Sequence, residues 1–247
     1  MKSPDAVATR PPVYLDHNAT TPVDPRVARA MLPFLTEHFG NPSSAHAYGR
    51  APAAAVSRAR EKIAALFGCS PSEIVFTSGG TEANNHAILG VARANRRRGN
   101  HVVTSAVEHP AVLAVCDRLR EDGFAVTIVP VDRHGRVSPS DVEAAIVPST
   151  ILVTVMHANN EVGTIQPIER IADIAHRRGI VVHSDCAQSV GKVPVGLGCL
   201  GLDLVSIAGH KIYGPKGVGA LLAGSRVELD NLMLGAGQES GRRPGTQ

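Results

Sequence analysis

Lys211 stands just after a short apolar run, in the stretch DLVSIAGHKIYGPKGVGALL at residues 203–222. Leu204, Val205 and Ile207 read as a buried strand, and the small residues Ala208 and Gly209 break it before His210 and Lys211. A cationic amine is costly to desolvate, so burial lowers its pKa and frees the neutral amine. A neutral amine can attack an aldehyde and so hold an aldehyde cofactor covalently. A lone lysine at such a place is equally readable as a solvated residue in a strand-to-strand loop. Upstream, the β-branched run of IVVHSDCAQSVGKVPV (180–195) ends in Asp185. A carboxylate at the carboxyl end of a parallel strand lies where ligands bind in open α/β sheets. It can keep a pyridine nitrogen protonated, or it can simply cap a turn or helix.

A third feature is Ser78-Gly79-Gly80, which follows the strand-like run Ile74-Val75-Phe76-Thr77 and leads into a helix near Thr81. Glycines let the backbone approach a ligand, the first helical amides are free, and the helix dipole favours an anion. That makes a phosphate site, although a plain strand-to-helix connection capped by Thr81 fits the same residues.

The elements that must position these groups alternate along the chain. Strands are expected near 74–77, 101–105, 125–130, 151–156, 180–184 and 203–207, with a further apolar run beginning at Val218. Helices are expected near 25–39, 51–67, 81–98, 109–121, 139–146 and 168–178, and residues 14–21 read as a short strand-like entry. Such alternation argues a mostly parallel sheet with helices on both faces. If so, Gly79-Gly80-Thr81, Glu108-His109, Asn159-Asn160-Glu161, Asp185 and Lys211 all gather at the carboxyl ends of strands, along one crevice. His109 alone also reads as a helix-start residue, and Asn159-Asn160 as a turn.

Composition is that of an ordinary globular domain, 247 residues with 43% hydrophobic and 19% charged. The net charge of +3 carries no long single-sign block, so nucleic acid is not an expected partner. Arg96-Arg97-Arg98 reads as the cationic last turn of a solvated helix. Residues 1–13 are expected to be a flexible terminus without the apolar core of a signal peptide. No apolar run suits a membrane span. The four cysteines, Cys69, Cys116, Cys186 and Cys199, are widely spaced, which suits reduced thiols in the cytoplasm. No metal-ligand spacing or Walker loop occurs, and no metal is expected.

In chain order, YLDHNATTPVDP (14–25), GNPSSAHAYGR (40–50), FTSGGTEANN (76–85), VEHPAV (107–112), MHANNEVGTIQPI (156–168), SDCAQSVGK (184–192), GHKIYGPKGVGAL (209–221) and GRRPGTQ (241–247) resemble the motifs of the cysteine desulfurase and selenocysteine lyase family. These are class V, fold type I enzymes that use pyridoxal phosphate. The resemblance implies that Lys211 bonds the cofactor's aldehyde, Asp185 pairs with the pyridine nitrogen, and His109 stacks on the ring and moves protons. It further implies that Asn160 and Gln188 bond the ring's phenolic oxygen, and that Gly80, Thr81 and His210 hold the phosphate. Thr246 would reach the phosphate of a partner subunit, which implies a homodimer.

Ala208 stands where desulfurases often carry a hydroxyl residue before Gly-His-Lys, so one phosphate contact is missing there. Selenocysteine lyases tend to have an apolar residue at that place, and their Arg-Pro-Gly-Thr resembles residues 243–246. Cys186 replaces a small residue and is expected to pack in the core, opposite Asp185. Chains of the family continue into a small C-terminal domain that bears a catalytic cysteine and a carboxylate-binding arginine. The expectation is a chain truncated before that domain, with none of its four cysteines in the catalytic role.

The fold expectation is thus α/β. It is a three-layer, aspartate aminotransferase-like large domain of a pyridoxal-phosphate-dependent transferase over residues 14–247, with 14–35 packing toward the small-domain region. The function expectation is removal of sulfur from L-cysteine for iron-sulfur cluster assembly, with a sulfur-acceptor or scaffold protein as partner. Selenocysteine lyase and a catalytically silent cofactor-binding remnant are the alternatives.

Overall fold

One seven-stranded sheet carries the molecule. Its strands are β1 (Ile74–Thr77), β2 (His101–Ser105), β3 (Ala125–Val129), β4 (Thr150–Thr154), β5 (Val181–Asp185), β6 (Leu204–Ala208) and β7 (Gly219–Ala223). The computed structural model describes residues 12–195 and 197–247, apart from the side chains of Leu197 and Cys199. The readings made for residues 1–11 lie outside the described residues. Across the sheet the order is β1-β7-β6-β5-β4-β2-β3. Every pair is parallel except those made by β7, which runs antiparallel between β1 and β6. The apolar run at Val218 is therefore a reversed central strand, a direction that an all-apolar run does not reveal.

Helices α1 (Pro25–Thr36), α2 (Ala47–Phe67), α3 (Gly80–Ala94), α4 (Pro110–Glu121), α5 (Pro139–Ala145), α6 (Ile168–His176) and the short α7 (Leu197–Leu200) complete the order. Alternation along each strand splits the core. Val102, Leu152, Leu204 and Leu221 face α3 and α4, with Ile88, Val112 and Leu119. Val103, Val153, Val205 and Leu222 face the other side, with Phe67 of α2, Val142 of α5 and Ile171 of α6. The expected three layers are present.

Two expectations are corrected. Residues 14–21 form no strand; they contain a turn at 17–19, and the chain bonds instead to the loop after β6. There Thr21 N–H donates to His210 O at 2.9 Å and Asp24 N–H to Tyr213 O at 3.0 Å. Helix α3 ends at Ala94, where the Asn95 side chain donates to Val91 O at 3.0 Å. Far from being solvated, α3 is largely buried, and the Arg96 guanidinium packs over the Phe124 ring at 4.5 Å. Among the described residues no helix is long and apolar enough to cross a membrane.

Candidate active site

The carboxyl ends of β1, β4, β5 and β6, with the loop after β2, surround a cavity of about 950 Å³. Lys211, His109, Gly80, Thr81, Asn160, Asp185, Gln188, Ala208 and His210 all line it. Thr246 is exposed and lies outside it.

The glycine turn follows from β1. Gly79 has φ +154°, a conformation that side chains other than hydrogen rarely adopt, and no side chain caps α3. The first amides of α3 are thus presented to the cavity with the positive end of the helix dipole. A Cβ at Gly80 would meet the Ala208 Cβ at 3.3 Å, so Ala208 faces this turn, where a hydroxyl would add a donor. Glu82 closes the turn, accepting from Ser78 N–H at 2.9 Å and pairing with Arg243 at 2.8 Å. Burial pushes the Glu82 carboxyl up, but the bonds from Arg243 and Ser78 outweigh it and hold the pKa at about 2.

Asp185 ends β5 and is buried. One carboxylate oxygen accepts from Ala187 N–H at 2.9 Å and the other from the Asn84 side chain at 2.7 Å. Asn84 is only 1% exposed, and its own Oδ1 has no partner. Lys211 is half-buried, and its amine donates to the carbonyls of Asn18 and Ala19, at 2.9 Å for the latter. Burial lowers the Lys211 pKa and the charge of Lys192 adds to this, while Asp185 and Asp16 oppose.

His109 is both things that its position suggested. Its Nδ1 accepts from Ala111 N–H at 3.1 Å, capping α4, and the ring lines the cavity. An accepting Nδ1 puts the proton of the neutral ring on Nε2. Behind it, Glu108 is buried; Ser105 Oγ donates to it at 2.5 Å and Met156 N–H at 2.9 Å. Burial pushes the Glu108 carboxyl up to about 8, with the Asp185 charge adding to the rise. Asn159 proves to be a turn organiser, accepting from Glu161 and Val162 N–H, while Asn160 reaches the cavity.

The sequence reading missed the N-terminal segment. Asn18 O also accepts from Gln188 Nε2 at 2.8 Å, Asn18 Nδ2 donates to Asn160 O at 3.2 Å, and Thr20 Oγ1 bonds His210 Nδ1 at 3.1 Å. Backbone carbonyls make much of this roof, and they carry no side-chain signature. Asn84 was missed as well, since a polar residue in a helix usually faces water.

The aminotransferase class-V family matches residues 13–240. The chain belongs to that family. It is 52% identical over 235 residues to a cysteine desulfurase IscS of Dictyoglomus turgidum, covering 95% of this chain and 60% of that one. Among solved structures, a NifS-like protein superposes with TM-score 0.93 at 44% identity, covering 95% of this chain and 65% of that one. The structure named SspA in complex with cysteine superposes with TM-score 0.92 at 44% identity, over 95% of this chain and 68% of that one. The chain spans about 60% of the length of the Dictyoglomus relative.

This family is pyridoxal phosphate-dependent. The cavity fits that group on its own terms. An uncapped helix start behind a glycine turn suits the phosphate, a half-buried amine suits the aldehyde, and an oriented buried carboxylate suits the ring nitrogen.

Proposed function

We propose that this chain is the cofactor-binding part of a cysteine desulfurase that converts L-cysteine to L-alanine and passes the sulfur to a thiolate as a persulfide. The observation that carries the reading is the convergence of Lys211, Asp185 and the Gly79-Gly80 turn on one cavity. Bound pyridoxal phosphate supplies an electron sink that weakens bonds at the substrate's α and β carbons.

The residues have distinct tasks. The Lys211 amine, favoured in its neutral form by burial, holds the aldehyde. Asp185, fixed by Asn84 and Ala187, keeps the ring nitrogen protonated. The His109 imidazole stacks on the ring, and its Nε2 moves protons. Asn160 and Gln188 bond the ring hydroxyl oxygen, and Gly80, Thr81 and His210 bind phosphate. Ala208 packs beside them without a donor, which supports selenocysteine as a second substrate reading; relative turnover of the two amino acids separates the two. Thr246, exposed on the surface, is assigned to the phosphate of a second copy, making a homodimer. We place the protein in the cytoplasm, on its widely spaced cysteines, and in iron-sulfur cluster assembly with a sulfur-accepting scaffold.

The test is borohydride reduction in the presence of pyridoxal phosphate, followed by peptide mapping. The pyridoxyl group is expected on Lys211 and absent from Lys211→Ala. A label on another lysine, or none on the folded chain, overturns the assignment.

A further inference from the structure

Lys192 follows Gln188 by one helical turn's spacing in the segment after β5. Its Nζ donates to Gln188 Oε1 at 2.7 Å and to Asn18 Oδ1 at 3.4 Å. Among the described residues Lys192 pairs with no carboxylate. An exposed lysine usually leaves its ammonium in water, whereas this one is committed to two neutral amide oxygens at the rim of the cavity.

The consequence falls on Gln188, which is buried and lines the cavity. Its Nε2 donates to Asn18 O at 2.8 Å. An amide flipped end for end would set its NH2 against the Lys192 ammonium and its oxygen against the Asn18 carbonyl. Both contacts would then be repulsive, since ammonium only donates and carbonyl only accepts. The orientation of Gln188 is therefore fixed chemically, by a pair of neighbours that each reject the alternative. One Nε2 hydrogen goes to Asn18 and the other is left for the cavity.

We propose that Lys192 is a positioning residue: it holds the Gln188 amide by its oxygen, so that the NH2 is presented to the cavity as a donor. The inference rests on the assignment of Gln188 to the cofactor's ring oxygen made above. The same ammonium also bears on Lys211. Of the charges around that amine, Lys192 lowers its proton affinity while Asp185 and Asp16 raise it. One side chain thus serves both the donor and the amine.

Equilibrium dialysis of the full chain against pyridoxal phosphate tests this with no need for turnover. Lys192→Met is expected to weaken binding about three- to ten-fold, the range of one hydrogen bond. Lys192→Arg keeps a donor and a charge and is expected to recover most of the loss. In a Gln188→Met background, Lys192→Met is expected to cost clearly less than it does in the parent, because only its charge on Lys211 is then left to lose. Independent, additive effects of the two substitutions, or a Lys192→Met variant that binds as tightly as the parent, overturn the inference alone. A parent chain that binds no pyridoxal phosphate overturns the proposed function itself, and this inference with it.

Discussion

Glu108 shows how much one enclosed carboxyl can shape the protein around it. It accepts hydrogen bonds from Ser105 and from Met156 N–H, a residue of the cavity wall, and it immediately precedes His109. Burial raises its pKa from 4.5 to about 8, so the folded protein binds this proton more tightly than the unfolded chain does. Stability contributed by that proton is present below pH 4.5 and is lost as pH rises through about 8. Glu108→Gln, which keeps an accepting oxygen for both donors, is expected to remove that decline. Its unfolding free energy should exceed the parent's by an amount on the order of a few kcal/mol above pH 8, measured by urea denaturation across pH. An unchanged pH slope would show that Glu108 keeps an ordinary carboxylate pKa. The cysteines give a second prediction at this scale. Cys116 and Cys186 are buried, each thiol is pushed up to about 12, chiefly by burial, and neither they nor Cys69 lines the cavity. Cys186 packs in the core as expected, and Cys199 stands on α7. Thiols held neutral are poor sulfur acceptors. Incubation with pyridoxal phosphate and L-cysteine, then mass spectrometry of alkylated peptides, should find no persulfide on Cys69, Cys116 or Cys186. A persulfide on any of the three contradicts this.

Strand β7 links the two halves of the candidate site. It begins at Gly219, which pairs with Thr77 at the end of β1 and with Ala208 at the end of β6. Those ends lead to the glycine turn and to Lys211. A Cβ on Gly219 would lie 2.6 Å from Ile207 O and 2.7 Å from the Gly79 carbonyl carbon, both unyielding backbone. Gly219→Ala is expected to lower stability by about 1–3 kcal/mol through overpacking and to weaken pyridoxal phosphate binding by spreading the turn. Urea denaturation and dialysis read the two effects, and a variant that binds and unfolds like the parent would mean that β7 tolerates the shift. Why the direction of β7 escaped the sequence reading is physical. The run GALLA is buried on both faces, so it lacks the alternation that marks orientation and neighbours. The parallel strands were legible because each is a short run containing β-branched residues, set between helical runs. Lys211, Asp185 and the glycine turn could be read because one residue type performs each task. The roof of carbonyls from Asn18 and Ala19, and the Asn84 contact, arise from tertiary packing and leave no such trace.

At the scale of the whole molecule, burial is uneven. The sheet interior and most of α3 are buried, and the C-terminal segment is anchored by Glu239, whose buried carboxylate pairs with Arg60 at 2.6 Å and accepts from Phe76 N–H at 2.8 Å. Helix α1 is different: it buries no residue, and Leu32, Leu35 and nearby Phe39 are exposed. Its Asp24 cap bonds Arg26 N–H at 2.7 Å, and its first residue is proline, so its start is well specified. Capping alone seldom holds a twelve-residue helix, because most helical stability comes from packing an apolar face. Hydrogen exchange at low micromolar concentration should therefore find α1 amides protected by no more than about a hundred-fold over an unfolded chain. Those of β4, β5 and β6 should exchange only through global unfolding. The apolar face of α1 also tests the proposed homodimer. If a second copy covers it, α1 protection rises with protein concentration while strand protection barely changes. Strong protection of α1 that is independent of concentration would show that contacts within one chain hold this helix.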